Sequence, residues 1–163
     1  WDPLMNFNIL RRKDERKSFL SCEIEYQHEG EKIPFSLKGI HLENADQEHR
    51  QRQAKYLSLR LNRRTDSYKI MAGDFNAEPW KNDQKGNGDD SLERLLQHPE
   101  MGYWKDIKDN PEKYATYPSE SPDKLIDTIL VSKQMEIINY FVHPKKVSDH
   151  LAVVADIKIH IPT

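Results

Sequence analysis

Tyr68-Lys69-Ile70-Met71-Ala72-Gly73-Asp74-Phe75-Asn76-Ala77-Glu78-Pro79 runs from a short apolar stretch directly into a cluster of polar side chains. Tyr68–Ala72 reads as a strand buried in a sheet and ending at Gly73. If the strand continues past the glycine, its period of two points Asp74 and Asn76 to one face and Phe75 to the other. A carboxylate and a carboxamide then project together from a strand's end. Taken alone, the segment reads equally as an Asx-rich turn closed by Pro79.

Upstream, residues 18–26 alternate apolar and polar, and Glu29-Gly30-Glu31 supplies a turn before Ile33–His41, which predicts a β-hairpin. Asn44 with Gln47 resembles a capping box, and Ala54, Leu57 and Leu61 fall at helical spacing, predicting a helix over about residues 46–63. Arg50 and Gln53 share the face of Ala54 and Leu57, so their ends either reach inward or cap the core edge through ion pairs and amide bonds. Downstream, Trp80–Asp90 reads as an exposed loop carrying Gly86 and Gly88. Asp90 with Glu93 then caps a short helix bearing Leu92, Leu95 and Leu96. Asp109–Pro122 lacks a period and is expected to be an ordered surface loop. Strands are predicted at about Leu125–Val131 and Leu151–Ile161, with a weaker one near Ile137–Val142. The order is that of an α/β sandwich with its polar residues gathered at strand ends, the usual place for a site.

Three further positions stand out. Asp127 lies in the apolar run Leu125–Val131, and a carboxylate there requires a partner because burying it bare costs several kcal/mol. A histidine is the obvious partner, since the carboxylate would fix its tautomer and stabilise the imidazolium. Ser148-Asp149-His150 precedes the last apolar strand; carboxylate suits a hard cation and imidazolium an anion, although a simple turn is the plainer reading of the pair. His41 closes a strand at a strand-to-helix junction and, by itself, reads as a polar strand end.

The chain has 163 residues, room for one domain with an ordinary core, and 36% hydrophobic against 32% charged residues marks a folded rather than a disordered chain. No apolar stretch approaches the roughly 20 residues of a membrane helix. The start at Trp1 suggests a trimmed or incomplete N-terminus, so compartment is left open. One cysteine excludes an internal disulfide and a Cys-rich zinc site; Cys22 alternates with Leu20 and Ile24 and reads as a buried structural thiol. The net charge of −2 exerts no global pull on nucleic acid, and any grip must be local. Two basic stretches, Arg11-Arg12-Lys13 with Arg16-Lys17 and the helix with Arg50, Arg52, Lys55, Arg60, Arg63 and Arg64, are interrupted by acids and read as solvated faces.

Taken together, His41-Leu42 at a strand end, Arg50-x-x-Gln53 on the next helix, Gly73-Asp74-Phe75-Asn76-Ala77-x-Pro79, Ile126-Asp127-x-Ile129 and Ser148-Asp149-His150-x-x-Val153 occur in one order at suitable spacing. They resemble the endonuclease/exonuclease/phosphatase family of deoxyribonuclease-like metal-dependent phosphoesterases, over about Arg16–Ile157. The resemblance implies a four-layer α/β/β/α sandwich. By motif, Asp74 would orient or deprotonate the attacking water and Asn76 would bond the phosphate or position that water. His150 would contact a phosphate oxygen with Asp127 as its partner, and His41 would assist at the phosphate or leaving group. Asp149, with Asp74 and Asn76, would serve a site for Mg²⁺, with Mn²⁺ as a substitute. Thr128 stands where many members carry an aromatic.

The family's metal-binding Glu and an early Asn belong to an N-terminal half that this chain does not match, so residues 1–163 are expected to form a single domain incomplete at its N-terminus. Such a chain would need a further segment or a second chain for activity. The function implied is divalent-metal-dependent hydrolysis of phosphodiesters by an in-line water, nuclease-like, with nucleic acid or another phosphodiester as substrate. A sphingomyelinase-like lipid phosphodiesterase and an inositol-polyphosphate phosphatase are alternatives within the family. Thr116-Tyr117-Pro118 most resembles bacterial hydrolases of undefined substrate. A non-catalytic interaction module retaining the fold is the alternative of another class, and a helix-based DNA-binding module lacks a recognition helix.

Overall fold

Alternation at the start of the described chain produces an antiparallel hairpin of β1 (Leu20–His28) and β2 (Glu31–His41). A computed structural model gives the architecture and describes residues 19–28, 30–61, 68–80 and 88–160. The basic stretch Arg11–Lys17, Arg63 and Arg64, and residues 81–87 of the expected Trp80–Asp90 loop lie outside the described residues.

From β2 the chain crosses through helix α1 (Gln47–Leu61) to β3 (Tyr68–Asp74), which pairs parallel with β2. Helix α1 buries Arg50, Gln53, Ala54, Leu57 and Leu61, a stripe at three- and four-residue spacing. Its cap differs from the expected one. The Asp46 carboxylate accepts the His49 N–H at 3.0 Å, three positions on, whereas Asn44 lies upstream in a bend held by the Glu43 carboxylate at 3.1 Å. The next helix, α2 (Ser91–Leu96), departs similarly: Asp89, not Asp90, accepts the Ser91 N–H at 3.0 Å, and Asp90 pairs with Arg94 one turn on.

A short strand β4 (Met101–Gly102), a helical turn α3 (Asp106–Asp109) and a 3₁₀ turn (Pro111–Tyr114) precede β5 (Asp127–Ser132). The five-stranded sheet has the order β1-β2-β3-β5-β4, and β6 (Met135–Val142) with β7 (Val153–Ile159) form a separate two-stranded sheet. β6 is therefore a full strand rather than a weak one, and β7 opens at Val153 because the Leu151 N–H is taken by the Thr116 carbonyl at 2.8 Å.

Helices α1 and α2 cover one face of the large sheet, where Ile40, Met71 and Leu130 meet Leu57, Leu61, Leu92 and Leu95. The small sheet covers the other, with Ile137, Ile157 and Ile159 against Ile33, Phe35 and Val131. Helix, sheet and sheet are thus three consecutive layers of the expected sandwich. Each fully buried leucine in the helix-side core contributes about 1.5–3 kcal/mol. Cys22 is half-buried, not buried, because β1 is the sheet's edge strand. Residues 109–122 form the expected ordered loop with both ends at the surface, but its middle turns inward, where Tyr114, Ala115, Thr116 and Ser119 are buried.

Candidate active site

Strand register alone brings three candidate residues into a row. His41 pairs with Asp74 across β2 and β3, and Asp74 pairs with Asp127 across β3 and β5, so all three stand at the same end of the sheet. Gly73 makes the row possible. Its φ is +141°, and a Cβ there would lie 2.1 Å from the Ile40 carbonyl oxygen, so only glycine lets β3 approach β2 this closely.

Past Asp74 the strand stops instead of running on. Phe75 turns fully into the core with its N–H on the Ile126 carbonyl at 2.8 Å. Asn76 adopts φ of +50°, a left-handed conformation that asparagine tolerates. Its backbone N–H donates to Asp74 Oδ1 at 2.7 Å, and its side-chain Nδ2 donates to Asp74 Oδ2 at 3.1 Å and to the Leu42 carbonyl at 2.9 Å. The Asx turn and the projecting pair, alternatives in the sequence, are one structure.

Asp127 is the first residue of β5 and follows the buried Leu125 and Ile126, so it lies inside the apolar run as expected. Its Oδ2 lies 2.8 Å from His150 Nδ1 and accepts the Thr116 hydroxyl at 2.6 Å. Thr116 is itself fully buried. The same segment holds the far side of the pair. Ser119 N–H donates to the Asp149 carbonyl at 2.7 Å, Ser119 Oγ donates to the Ser148 carbonyl at 2.7 Å, and the Tyr117 ring centroid is 4.8 Å from that of His150. Burial works against the charged imidazole of His150, but the Asp127 hydrogen bond and the Asp127, Asp74 and Asp149 charges outweigh it and raise its pKa. Burial also pushes the Asp74 carboxyl up, the Asn76 N–H pulls it down, and the nearby Asp127 charge pushes it up again, leaving it above the usual carboxylate value.

His41, Asp74, Asn76, Asp127, Asp149 and His150 all line one cleft of about 750 Å³. His41 Nε2 comes within 3.8 Å of Asp74 Oδ2, and the Asp149 side chain takes the Ser148 hydroxyl at 2.9 Å on the exposed rim. Arg50 reaches the same cleft, with Nε on Asp89 and Nη1 on the Glu43 carbonyl at 2.6 Å, while Gln53 Oε1 accepts the Glu43 N–H at 2.8 Å. Arg50 and Gln53 are buried and also make the ion-pair and amide contacts of the alternative reading, and they pin the loop that follows His41.

The sequence profile of the Endonuclease/Exonuclease/phosphatase family matches residues 7–150. The chain belongs to this family. No curated protein sequence matches it. Among solved structures, the human Nocturnin catalytic domain with bound sulfate superposes with a TM-score of 0.64 at 17% identity, covering 94% of this chain and 60% of that one. The Bacteroides thetaiotaomicron mannosyl-6-phosphatase Bt3783 gives 0.63 at 16% identity, covering 86% and 57%. D. rerio TDP2 complexed with single-strand DNA product gives 0.60 at 12% identity, covering 86% and 62%. Identities this low establish a shared fold, and the chain spans only 56–60% of the length of the first-matched structures.

In this endonuclease/exonuclease/phosphatase family member the residue most clearly missed from sequence is Thr116. Its signal was present in the Thr116-Tyr117-Pro118 segment, but nothing in the local pattern shows that a hydroxyl eleven positions upstream of Asp127 is its partner. Thr128 also finds its explanation: its hydroxyl lies 3.0 Å from the Tyr140 hydroxyl, and Tyr140 packs on Trp104 and Tyr114. An aromatic from β6 thus lies beside Thr128. The hydrogen bond only partly offsets burial, which takes the Tyr140 pKa up to about 12.

Proposed function

We propose that this chain carries most of the active site of a divalent-metal-dependent phosphodiesterase, nuclease-like in action. The observation that carries the reading is the row of Asp74 and Asp127 on adjacent strands with His150 clamped to Asp127. A carboxylate raised above its usual pKa and an imidazole held toward its charged form then face one space. His150 would bind a non-bridging phosphate oxygen as imidazolium, with Asp127 fixing its ring and compensating its charge. Asp74 would orient the attacking water in line and take its proton, and the Asn76 turn would hold Asp74's two oxygens in place. His41 would sit on the phosphate or leaving-group side.

The donor set suits a hard cation. Asp74, Asp127 and His150 each place one ligand atom within 4.8 Å of the others, and Asp127 Oδ2 is already taken by His150 and Thr116. Asp74 with Asn76 and Asp149 would therefore hold Mg²⁺ or Mn²⁺, oxygen ligands being what these ions prefer. Such an ion supplies charge neutralisation at phosphorus and at the leaving oxygen. Because relatives are longer than this chain, a further Glu ligand from outside residues 1–163 belongs to the same proposal.

A nucleic-acid substrate is supported by the likeness to TDP2 with its DNA product; a phosphomonoester reading is supported by the likeness to the mannosyl-6-phosphatase. The test is turnover by the full-length protein of a fluorescent DNA oligomer, sphingomyelin, a phosphoinositide and a sugar 6-phosphate, with Mg²⁺ and after chelation. DNA cleavage abolished by chelation is the expected result. Metal-independent turnover overturns the mechanism, and turnover of the sugar phosphate alone overturns the phosphodiester assignment.

A further inference from the structure

Five carboxylates line the cleft, Asp74, Glu78, Asp89, Asp127 and Asp149, against two Arg or Lys side chains among the described residues, Arg50 and Lys124. Arg50 is committed to Asp89 and the Glu43 carbonyl. An acidic cleft repels a substrate with several negative charges, so among the described residues Lys124 is the cation placed to grip an anion away from the reacting phosphate.

Lys124 is also placed rather than merely exposed. Its backbone is tied on both sides to the segment that clamps the Asp127–His150 pair: its N–H donates to the Tyr117 carbonyl at 3.0 Å, and its carbonyl accepts the Thr116 N–H at 2.8 Å and the Tyr117 N–H at 3.2 Å. Its Nζ lies over the Tyr117 ring, 5.5 Å from the centroid. The same ring lies 4.8 Å from the His150 imidazole, centroid to centroid. One aromatic ring therefore joins the ammonium to the histidine assigned to the scissile phosphate, and the ring's quadrupole attracts the cation.

We propose that Lys124, seated on Tyr117, is a second anion subsite that selects substrates carrying a further negative group beside the scissile phosphate. The inference rests on the phosphoesterase reading and deepens it from a reaction to a substrate class: a phosphodiester flanked by another phosphate, as in a polynucleotide, over an isolated diester. In this role Lys124 acts through binding.

The experiment uses the full-length protein with Mg²⁺ and a matched pair of substrates, the p-nitrophenyl ester of thymidine 5′-phosphate with and without a 3′-phosphate. For the 3′-phosphorylated ester, K124M should lower kcat/KM about fivefold to tenfold through KM, the scale of one partly solvated ionic contact, and flatten the salt dependence of KM. The unphosphorylated ester should be turned over as by wild type, and K124R should retain most of the discrimination. Equal losses on both esters, or no loss on either while H150A abolishes turnover, overturn this inference alone. Undiminished turnover of both esters by H150A overturns the reading of the centre as well.

Discussion

Asp127 and His150, 17% and 25% exposed at their side chains, form one wall of the cleft, and His41, 61% exposed, stands on the other. The first pair is held by Thr116, by the Tyr117 ring, by the Ser119 hydroxyl on the Ser148 carbonyl and by the Ser119 N–H on the Asp149 carbonyl. Among the described residues His41 approaches Asp74 at 3.8 Å, and the Asp149 carboxylate accepts the hydroxyl of its neighbour Ser148. The difference separates two tasks. On the proposed reading, groups whose direction must be set before substrate arrives are locked by packing and second partners, whereas those assigned to a metal or a departing oxygen stand on the open rim.

Both walls depend on the strand between them, so the largest effect is expected at Gly73. G73A puts a Cβ 2.1 Å from the Ile40 carbonyl at a positive φ, and the backbone strain alone costs about 1–3 kcal/mol before the clash is counted. Loss of soluble, cooperatively melting protein is expected by circular dichroism. A G73A protein with wild-type melting would break the shared-strand account of the two walls.

Next in size, H150A and D74A in the full-length enzyme should lower turnover about a hundred- to ten-thousand-fold with the fold retained. H41A should leave the melting temperature unchanged because its side chain is mostly solvated, with a smaller loss of turnover than H150A. An H41A loss as deep as that of H150A would erase the distinction between the walls.

T116V sharpens the comparison by removing one support of the locked wall. It should cut kcat about tenfold with KM little changed, destabilise by about 1–3 kcal/mol through an under-satisfied buried carboxylate, and be rescued by T116S. In a D127N background T116V should have little further effect on kcat, and additive losses would show that Thr116 does not act through Asp127.

The smallest effect lies further back in the same support. The Tyr114 hydroxyl, then Lys113 and Asn110, hold the Asp106 carboxyl down from 3.8 to about 2. A carboxylate with a depressed folded pKa contributes stability that is present above pH 3.8 and lost as pH falls toward 2. D106N should therefore melt below wild type at pH 5, and the gap should close on acidification. A gap that widens as pH falls would refute the assignment.

Much of this was legible in the residues. The period-two run into Gly73-Asp74 and the apolar strand around Asp127 demanded a partnered carboxylate, and the Asp127–His150 contact expected on that ground is present at 2.8 Å. What was misread shares one cause. Asn44, Asp90 and the inward-turned middle of loop 109–122 answer to neighbours that sequence order does not show, because Asp46, Asp89 and Thr116 are selected by which N–H or carboxylate lies near in space.

By itself the sequence determined the strands, the glycine and the chemical types of the site residues, because periodicity, φ preference and the cost of a buried charge are local properties. Only the tertiary structure decided that His41, Asp74 and Asp127 stand in register and that Thr116 and Tyr117 lock His150. Pairing between strands and hydrogen bonds between distant segments depend on how the whole chain closes, and no stretch of residues contains that information alone.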